Sequence, residues 1–194
     1  MIGKSELLEA CALKNRGLLA TNVERQAILS AIAQLEDRNP NPRPLEAAEL
    51  LDGDWRLLYT TSKGLLKIDR LPLAKLGEIY QSIRVKDAKI YNIAEIYGVP
   101  LLEGLVSVSA RFEAVSERRV TVKFERNITG LQRLIRYQSP AQFIEKIETG
   151  QKFMAIDAEI NPDQRQGWLD ITYLDNNLRI GRGNEGSVFV LTKT

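Results

Sequence analysis

The chain has 194 residues, of which 44% are hydrophobic and 27% charged, and its formal net charge is +2. This length and composition indicate a globular chain that can bury a sizeable core, and the weak charge argues against a nucleic-acid partner. The chain contains no apolar run approaching the roughly 18 residues that a membrane-spanning helix needs.

Two residue counts limit the chemistry. Histidine is absent, which excludes histidine-based triads and histidine metal sites. Cys11 is the single cysteine, so an internal disulfide and a cysteine-type zinc cluster are excluded as well. Cys11 stands among leucines at helical spacing, which favours a buried structural thiol over a reactive one. We predict no metal and no cofactor, while enzymes built on carboxylates, lysine or tyrosine remain open.

The first residues, 1–6, carry no recognisable targeting signal. They lack the apolar core of a secretory signal and the arginine- and serine-rich composition of an organelle transit peptide. Two interpretations follow. Either the protein works where it is made, or such a peptide has already been removed.

The N-terminal part predicts helices. A first helix from about Ser5 to Asn15 precedes a break at Gly17. Thr21 and Glu24 then form a capping box ahead of apolar residues at helical spacing.

Prolines at 40, 42 and 44 end the helical part, because proline removes a backbone donor and restricts the residue before it. Residues 45–51 can add one or two further helical turns. Residues 1–50 alone are too short to hold a core. We therefore expect them to pack as a helical segment on a barrel formed by residues 51–194, as a single domain overall.

From Leu51 onward the apolar residues alternate with period two, as in strands. The clear runs are Trp55–Tyr59, Ile79–Val85, Ile90–Tyr97, Val106–Ala114, Val120–Arg126, Phe153–Ile160 and three runs between Gly167 and Leu191. Strands at this spacing predict one antiparallel barrel of about eight strands, so the fold class is mainly β with N-terminal helices. Residues 129–150 fit a strand, a helix or a loop.

Residues 62–77 interrupt the strands with six large aliphatic residues and four cations against one acid. This composition suits a lid over the barrel mouth, a patch that dips into a membrane surface, or a connection packed into the core. The residues expected to serve as lid or membrane contact are Leu65, Leu66, Lys67, Leu71 and Leu73.

Gly181, Gly183 and Gly186 match the spacing of the dinucleotide-binding fingerprint. That fingerprint requires a following helix whose N-terminus holds the pyrophosphate. A β-rich run, residues 187–191, follows instead. We therefore predict a hairpin here and no nucleotide binding.

Two segments carry a resemblance to a known family. Gly53-Asp54-Trp55 opens the first strand as in lipocalin-like barrels, and the run from Trp168 to Leu191 ends the chain in a meander. Together they resemble the plastid lipid-associated protein (PAP)/fibrillin family of plants and cyanobacteria. The resemblance spans roughly residues 51–191 and is weak between about 127 and 150.

The resemblance implies a lipocalin-like barrel that associates with thylakoids and plastoglobules and binds or organises prenylquinones, carotenoids or fatty acids, with a role in photoprotection. It also implies that Trp55 plugs one barrel end beside an arginine of the last strands. Since the first and last strands of a closed barrel must pair, Arg179 and Arg182 are the candidates. The apparent lack of a transit peptide makes the chain more similar to a cyanobacterial member, in the cytoplasm at the thylakoid surface.

Apolar strand faces are expected to line the barrel and bind the ligand. The candidate lining residues are Val106, Val108, Phe112, Val122, Phe124 and Arg126. The same faces would equally fill a solid barrel. Arg126 breaks an apolar face, so it either orients a polar ligand group or forms a salt bridge with a neighbouring glutamate.

These observations lead to a non-enzymatic binder or organiser of hydrophobic lipids at photosynthetic membranes, with peripheral membrane contact. The alternative is a scaffold protein with a filled barrel that binds another polypeptide at thylakoids. An enzyme using one of the C-terminal acids ranks third, because no spacing among them is diagnostic of catalysis. Those acids are Asp157, Glu159, Asp170 and Asp175.

Overall fold

A computed structural model describes residues 3–62, 64, 75–98, 100–161 and 166–194. The helices are α1 (Lys4–Cys11), α2 (Asn22–Glu36), α3 (Ala48–Leu51), α4 (Gln132–Ile135) and α5 (Pro140–Glu148). The strands are β1 (Gly53–Thr60), β2 (Lys75–Arg84), β3 (Lys89–Tyr97), β4 (Gly104–Ala114), β5 (Arg119–Leu131), β6 (Ile156–Glu159), β7 (Gln166–Leu174), β8 (Leu178–Gly183) and β9 (Val188–Lys193). Within these residues, no helix combines the length and apolar character needed to cross a bilayer.

The strands form one antiparallel sheet in the order β4-β3-β2-β1-β9-β8-β7-β5-β6, and β4 also pairs with β5. The additional pairing closes the sheet into a barrel. The predicted fold class, an antiparallel barrel with N-terminal helices, is confirmed. The first and last strands pair as barrel closure requires, with Trp55 opposite Lys193.

The capping box predicted at the start of α2 is present. Thr21 Oγ1 accepts a hydrogen bond from Glu24 N at 3.3 Å, and Glu24 Oε2 accepts one from Thr21 N at 2.8 Å. The prediction for α1 was too long, since this helix ends at Cys11 rather than near Asn15. Its continuation is not helical because Leu13 and Asn15 adopt positive φ, at 57° and 45°.

The chain divides into two compact units, and the first comprises residues 1–62, 113–121 and 167–194. Its strands are β1, β9, β8 and β7, paired in that order. The N-terminal helices pack on one face of these strands because their apolar stripes need cover. The shared core includes Leu7, Cys11, Ile28, Ile32, Leu35, Tyr59, Tyr173, Ile180 and Val190, all buried.

The second unit comprises residues 63–112 and 122–166. Its β2, β3 and β4 form a meander, and β5 pairs with β6. Residues 129–150, left open between strand, helix and loop, contain the end of β5 followed by α4 and α5. Helix α5 begins where Ser139 Oγ accepts from Gln142 N at 3.4 Å, and Pro140 stands at its first turn.

The glycine-rich segment near the C-terminus is a hairpin, as predicted. Strand β8 ends at Gly183, a 3-10 turn spans Asn184–Gly186, and β9 returns antiparallel to β8. Gly183 N donates to Ser187 O at 2.8 Å across the turn. No helix follows these glycines, so the structural context of a dinucleotide fingerprint is missing from this segment.

Candidate functional site

One face of the β2–β4 meander combines apolar side chains with two amides. The strand register places Ile79 opposite Ala94 and Ala94 opposite Val106, with Ile83, Ile90 and Ala110 in the corresponding row at the other end. In the row between them, Gln81 lies opposite Asn92, and Asn92 lies opposite Val108. We call this the amide-bearing face; its members are Ile79, Gln81, Ile83, Ile90, Asn92, Ala94, Val106, Val108, Ala110 and Phe112.

The two amides on this face form a pair. Gln81 Nε2 donates a hydrogen bond to Asn92 Oδ1 at 2.7 Å. Both side chains are half-buried. A carboxamide carries two N–H donors and an acceptor oxygen, so the pair offers hydrogen-bonding groups in the middle of an apolar surface. Such an arrangement is typical of sites for small apolar molecules that carry a few polar atoms.

The amide-bearing face is only partly covered. Ile79, Ile83, Ile90, Ala94 and Ala110 are buried, with 0–6% of each residue exposed. Val106, Val108 and Phe112, three of the residues predicted to line the barrel, are half-buried. The centre of the face thus retains accessible apolar surface beside the amide pair.

The opposite face of the same strands is closed by helix α5. Tyr91, Ile93 and Leu105, which alternate with the residues above, form a buried cluster with Phe143 and Ile144 of the helix. Ile93 and Leu105 are fully buried there. This side of the meander is therefore a packed core, and the accessible apolar surface belongs to the amide-bearing face.

Arg126 lies with the helix-covered cluster rather than with Val106 and Val108. Its Nε and Nη2 donate to the two carboxylate oxygens of Asp157, each at 2.7 Å. Nη2 also donates to Gln151 O at 2.9 Å, and the guanidinium lies 5.7 Å from the Phe153 ring centroid. The partner considered from the sequence was a neighbouring glutamate, whereas the structure gives an aspartate on β6.

The Arg126–Asp157 ion pair shifts the pKa of both side chains. The hydrogen bonds from Arg126 lower the pKa of the Asp157 carboxyl, and the same bonds raise the pKa of Arg126. Val122 and Phe124, the other predicted lining residues on β5, are half-buried.

An open pocket of about 410 Å³ lies next to Arg126 in the second unit. Charged residues of both signs line it, among them Lys89, Glu125, Glu148 and Glu159. Burial and the nearby Glu148 raise the pKa of Tyr91, which also lines the pocket. A pocket of this composition does not suit an apolar chain, because the chain would strip water from several charges.

Trp55, expected to plug one barrel end, is fully buried in the first unit. Its Nε1 donates to Leu51 O at 3.0 Å. Of the two candidate arginines, Arg179 lies over the indole, with Cζ 4.9 Å from the ring centroid. Burial lowers the pKa of Arg179 to about 9.

Arg182 points to the other face of β8 and binds helix α2. Its Nε and Nη2 donate to Glu36 Oε1 and Oε2 at 2.8 and 2.7 Å. The separation of three residues places Arg179 and Arg182 on opposite faces of one strand. This parity is a signal in the sequence that only one of the two arginines can face Trp55.

The residues predicted to form a lid or membrane contact, Leu65, Leu66, Lys67, Leu71 and Leu73, lie outside the described residues. Among the residues that are described, no group of acids and cysteines could hold a metal ion. Three of the four acids considered for catalysis form ion pairs: Asp157 with Arg126, Asp170 with Arg119, and Asp175 with Lys4.

A family model described as PAP_fibrillin matches residues 1–192 of the chain. The chain belongs to the PAP/fibrillin family. It is 35% identical to the light-induced protein, chloroplastic, of Solanum tuberosum, over 98% of this chain and 66% of that protein. It is 36% identical to plastid lipid-associated protein 1, chloroplastic, of Brassica campestris, over 92% of this chain and 63% of that protein.

A third relative is the chromoplast-specific carotenoid-associated protein of Cucumis sativus, 34% identical over 98% of this chain and 67% of that protein. The chain thus spans about two thirds of the length of these PAP/fibrillin relatives. Two of the three names refer to association with lipid or carotenoid, and none of the three names an enzymatic activity.

The amide pair is the feature of this family member that the sequence analysis did not single out. Gln81 was recognised as part of an alternating strand, and Asn92 falls between the apolar Ile90 and Ala94 in the next one. A polar residue at a core-facing position in each of two adjacent strands is the available signal. Only the strand register shows that the two amides meet.

Proposed function

We propose that the protein binds or organises hydrophobic lipids of the prenylquinone, carotenoid or fatty-acid type without catalysing a reaction. The amide-bearing face carries this proposal, since it pairs accessible apolar surface with one hydrogen-bonding pair. Apolar side chains would hold the isoprenoid or acyl chain, and the Gln81–Asn92 pair would meet a carbonyl, hydroxyl or carboxyl group. The names of the relatives support a lipid-associated role.

The setting proposed for this activity is the surface of photosynthetic membranes, in the manner of a cyanobacterial cytoplasmic protein attached peripherally to thylakoids. Lipid droplets of the plastoglobule type are the corresponding store in plastids. A binder in this position would serve lipid homeostasis and photoprotection, because it would control where quinones and pigments reside.

The test measures binding of a short-chain plastoquinone analogue to the purified protein in solution. Val108→Asp places a charge beside Asn92 and is expected to abolish saturable binding, because desolvating that carboxylate opposes ligand entry. Val115→Asp is the matched control, since it makes the same substitution at a valine that is 62% exposed directly after β4. Equal binding by the parent and Val108→Asp would contradict the assignment of the site.

A second variant examines the polar part of the site. Asn92→Leu removes the amide while keeping a side chain of similar size. We expect quinone binding to weaken by about 3- to 10-fold, as for one lost hydrogen bond, while binding of a hydrocarbon carotene stays within twofold. Native mass spectrometry of protein from a lipid-rich host completes the test. Retention of a protein partner and of no lipid would favour the scaffold alternative.

The segment at residues 62–77 is proposed to act as a lid or membrane contact, through Leu65, Leu66, Lys67, Leu71 and Leu73. Charge reversal of Lys63, Lys67 and Lys75 to glutamate should lower binding to anionic vesicles, most strongly at low salt, with little change in thermal stability. Conversely, a strong loss of stability on changing Leu65 and Leu66 to serine, with vesicle binding unaltered by charge reversal, would indicate core packing.

A further inference from the structure

Four large apolar side chains are exposed around the β3–β4 hairpin of the second unit. Tyr97 is 49% exposed, Leu101 64%, Leu102 56% and Leu134 48%. We call these residues the hairpin patch. Single exposed leucines are ordinary on protein surfaces, but several in one place mark a surface that contacts something apolar.

Two hydrogen bonds, one from the backbone and one from the side chain of Gln132, connect α4 with the end of the β3–β4 hairpin. Gln132 N donates to Glu103 O at 2.8 Å, and Gln132 Nε2 donates to Gly104 O at 2.9 Å. These bonds fasten the start of α4, which carries Leu134, to the foot of the hairpin that carries Leu101 and Leu102. The patch is thus built on anchored backbone.

The backbone of Leu101 has an unusual conformation. Its φ is 72°, in the left-handed region that a bulky residue rarely adopts. Leu13, the control residue below, combines a positive φ of 57° with 94% exposure in the same way. The two leucines are therefore matched in backbone conformation, and the hairpin patch differs by its neighbouring apolar side chains and exposed cations.

Three exposed cations lie around the hairpin patch, and three acids beside it, Glu78, Glu95 and Glu103, are half-buried. Arg133 and Arg136 flank Leu134 and are exposed, and the exposed Lys75 lies opposite Tyr97 in the β2–β3 pair. The nearby acid Glu95 accepts hydrogen bonds from the hydroxyls of Tyr97 and Tyr137, at 3.0 and 2.8 Å. A tyrosine, leucines and flanking arginines form the combination found where proteins enter the headgroup region of a bilayer.

We infer that the hairpin patch inserts into the interfacial region of an anionic lipid bilayer and is a membrane-docking surface of the protein. The leucines enter the acyl boundary, Tyr97 lies at headgroup level, and Arg133, Arg136 and Lys75 face the lipid anions. The inference deepens the proposed function by naming a surface that contacts the membrane. It does not depend on the amide-bearing face, whose ligand binding is measured in solution without vesicles.

The first experiment measures flotation of the full chain with phosphatidylcholine vesicles, with and without phosphatidylglycerol. The double variant Leu101→Ser, Leu102→Ser should bind anionic vesicles at least about tenfold more weakly than the parent, because two insertable side chains are lost. The matched control is Leu13→Ser, Leu19→Ser, which removes two leucines that are 94% and 67% exposed in the first unit. Its vesicle binding should match that of the parent.

Charge reversal separates the electrostatic contribution. Arg133→Glu, Arg136→Glu should weaken binding to vesicles with phosphatidylglycerol and leave binding to pure phosphatidylcholine nearly unchanged. Quinone binding in solution should be the same in all these variants. Retained quinone binding together with lost vesicle binding would support the docking surface. Lost quinone binding with intact vesicle binding would count against the proposed function and against the docking surface.

A labelling experiment keeps the inference testable if the serine variant fails to fold. Cys11 is buried and its thiol pKa is raised to about 12, so a polarity-sensitive dye reacts at neutral pH with a newly introduced thiol. The dye on Leu102→Cys should shift to shorter emission wavelengths on addition of anionic vesicles, and the dye on Leu13→Cys should not. Equal vesicle binding by the parent and the hairpin double-serine variant, or the absence of a shift at residue 102, would overturn the inference.

Discussion

The guanidinium of Arg179 lies over the indole of Trp55, with Cζ 4.9 Å from the ring centroid and both residues no more than 1% exposed. The pair joins β1 to β8 through β9, which lies between them in the sheet. Lys193 of β9 approaches the same ring, with Nζ at 5.3 Å. A cation against a desolvated indole face stabilises by about 2 kcal/mol or more.

Trp55→Ala should therefore lower the free energy of unfolding by about 3–5 kcal/mol, as for other fully buried aromatic residues. Trp55→Phe should cost less, since it keeps an aromatic ring and loses the hydrogen bond from Nε1 to Leu51 O. Urea unfolding followed by circular dichroism measures both. Trp168→Ala is the comparison, because this residue also has a cation over its ring, Arg119 at 4.4 Å, but is 37% exposed; it should cost about 1–2 kcal/mol. Similar costs at the two tryptophans would contradict the role of Trp55.

Gly17 and Gly150 form a matched pair for testing backbone constraint. Both have positive φ, 103° and 75°, so an alanine at either position is strained by about 1–2 kcal/mol. A Cβ at Gly17 would additionally approach Thr60 O at 2.8 Å, whereas nothing lies within 4 Å of one at Gly150. Gly17→Ala should thus cost about 1–3 kcal/mol more than Gly150→Ala in urea unfolding. Equal costs would mean that the contact relaxes freely.

Asp157 should make stability depend on acid pH. Hydrogen bonds from Arg126 hold its pKa below the ordinary value of 3.8, so the folded state binds this proton more weakly than the unfolded state. The stabilisation is therefore complete above the ordinary value and is lost as the pH falls through the lower pKa of the folded state. Asp157→Asn should cost about 1–3 kcal/mol at pH 7, and the difference from the parent should shrink toward pH 3.

Urea unfolding at a series of pH values measures this effect. Asp87→Asn, at an exposed residue of the Val85–Asp87 turn, is the control and should cost less than about 0.5 kcal/mol at pH 7. An Asp157→Asn cost that is independent of pH would show that the Arg126 pair does not carry the acid sensitivity.

The hairpin at Gly181–Gly186 should have no affinity for nucleotides. Titration of the protein with NAD, FAD or ATP, followed by fluorescence or calorimetry, is expected to give no saturable signal. The reason is that a strand rather than a helix N-terminus follows the glycines. Saturable micromolar binding that disappears in Gly183→Ala would reverse this interpretation of the C-terminus.

Local patterns in the sequence were enough to predict most of the helices and strands. The capping residues Thr21 and Glu24 identify the start of α2, because a cap depends on atoms within four residues. Alternation from Trp55 onward predicts the strands, since one buried and one exposed face impose period two. The positive-φ and turn residues near Gly183 predict the last hairpin. These features, with the Gly53-Asp54-Trp55 opening, were sufficient for the fold class and the family.

Tertiary structure alone decided which distant side chains meet. The register of β2 against β3 brings Gln81 to Asn92, and the pairing of β5 with β6 brings Asp157 to Arg126. Residues 129–150 were left open between strand, helix and loop, and their helices are stabilised by burying Phe143 against strands remote in sequence. Short-range propensity determines local structure, whereas contacts between distant residues depend on register and packing, which no short stretch of sequence encodes.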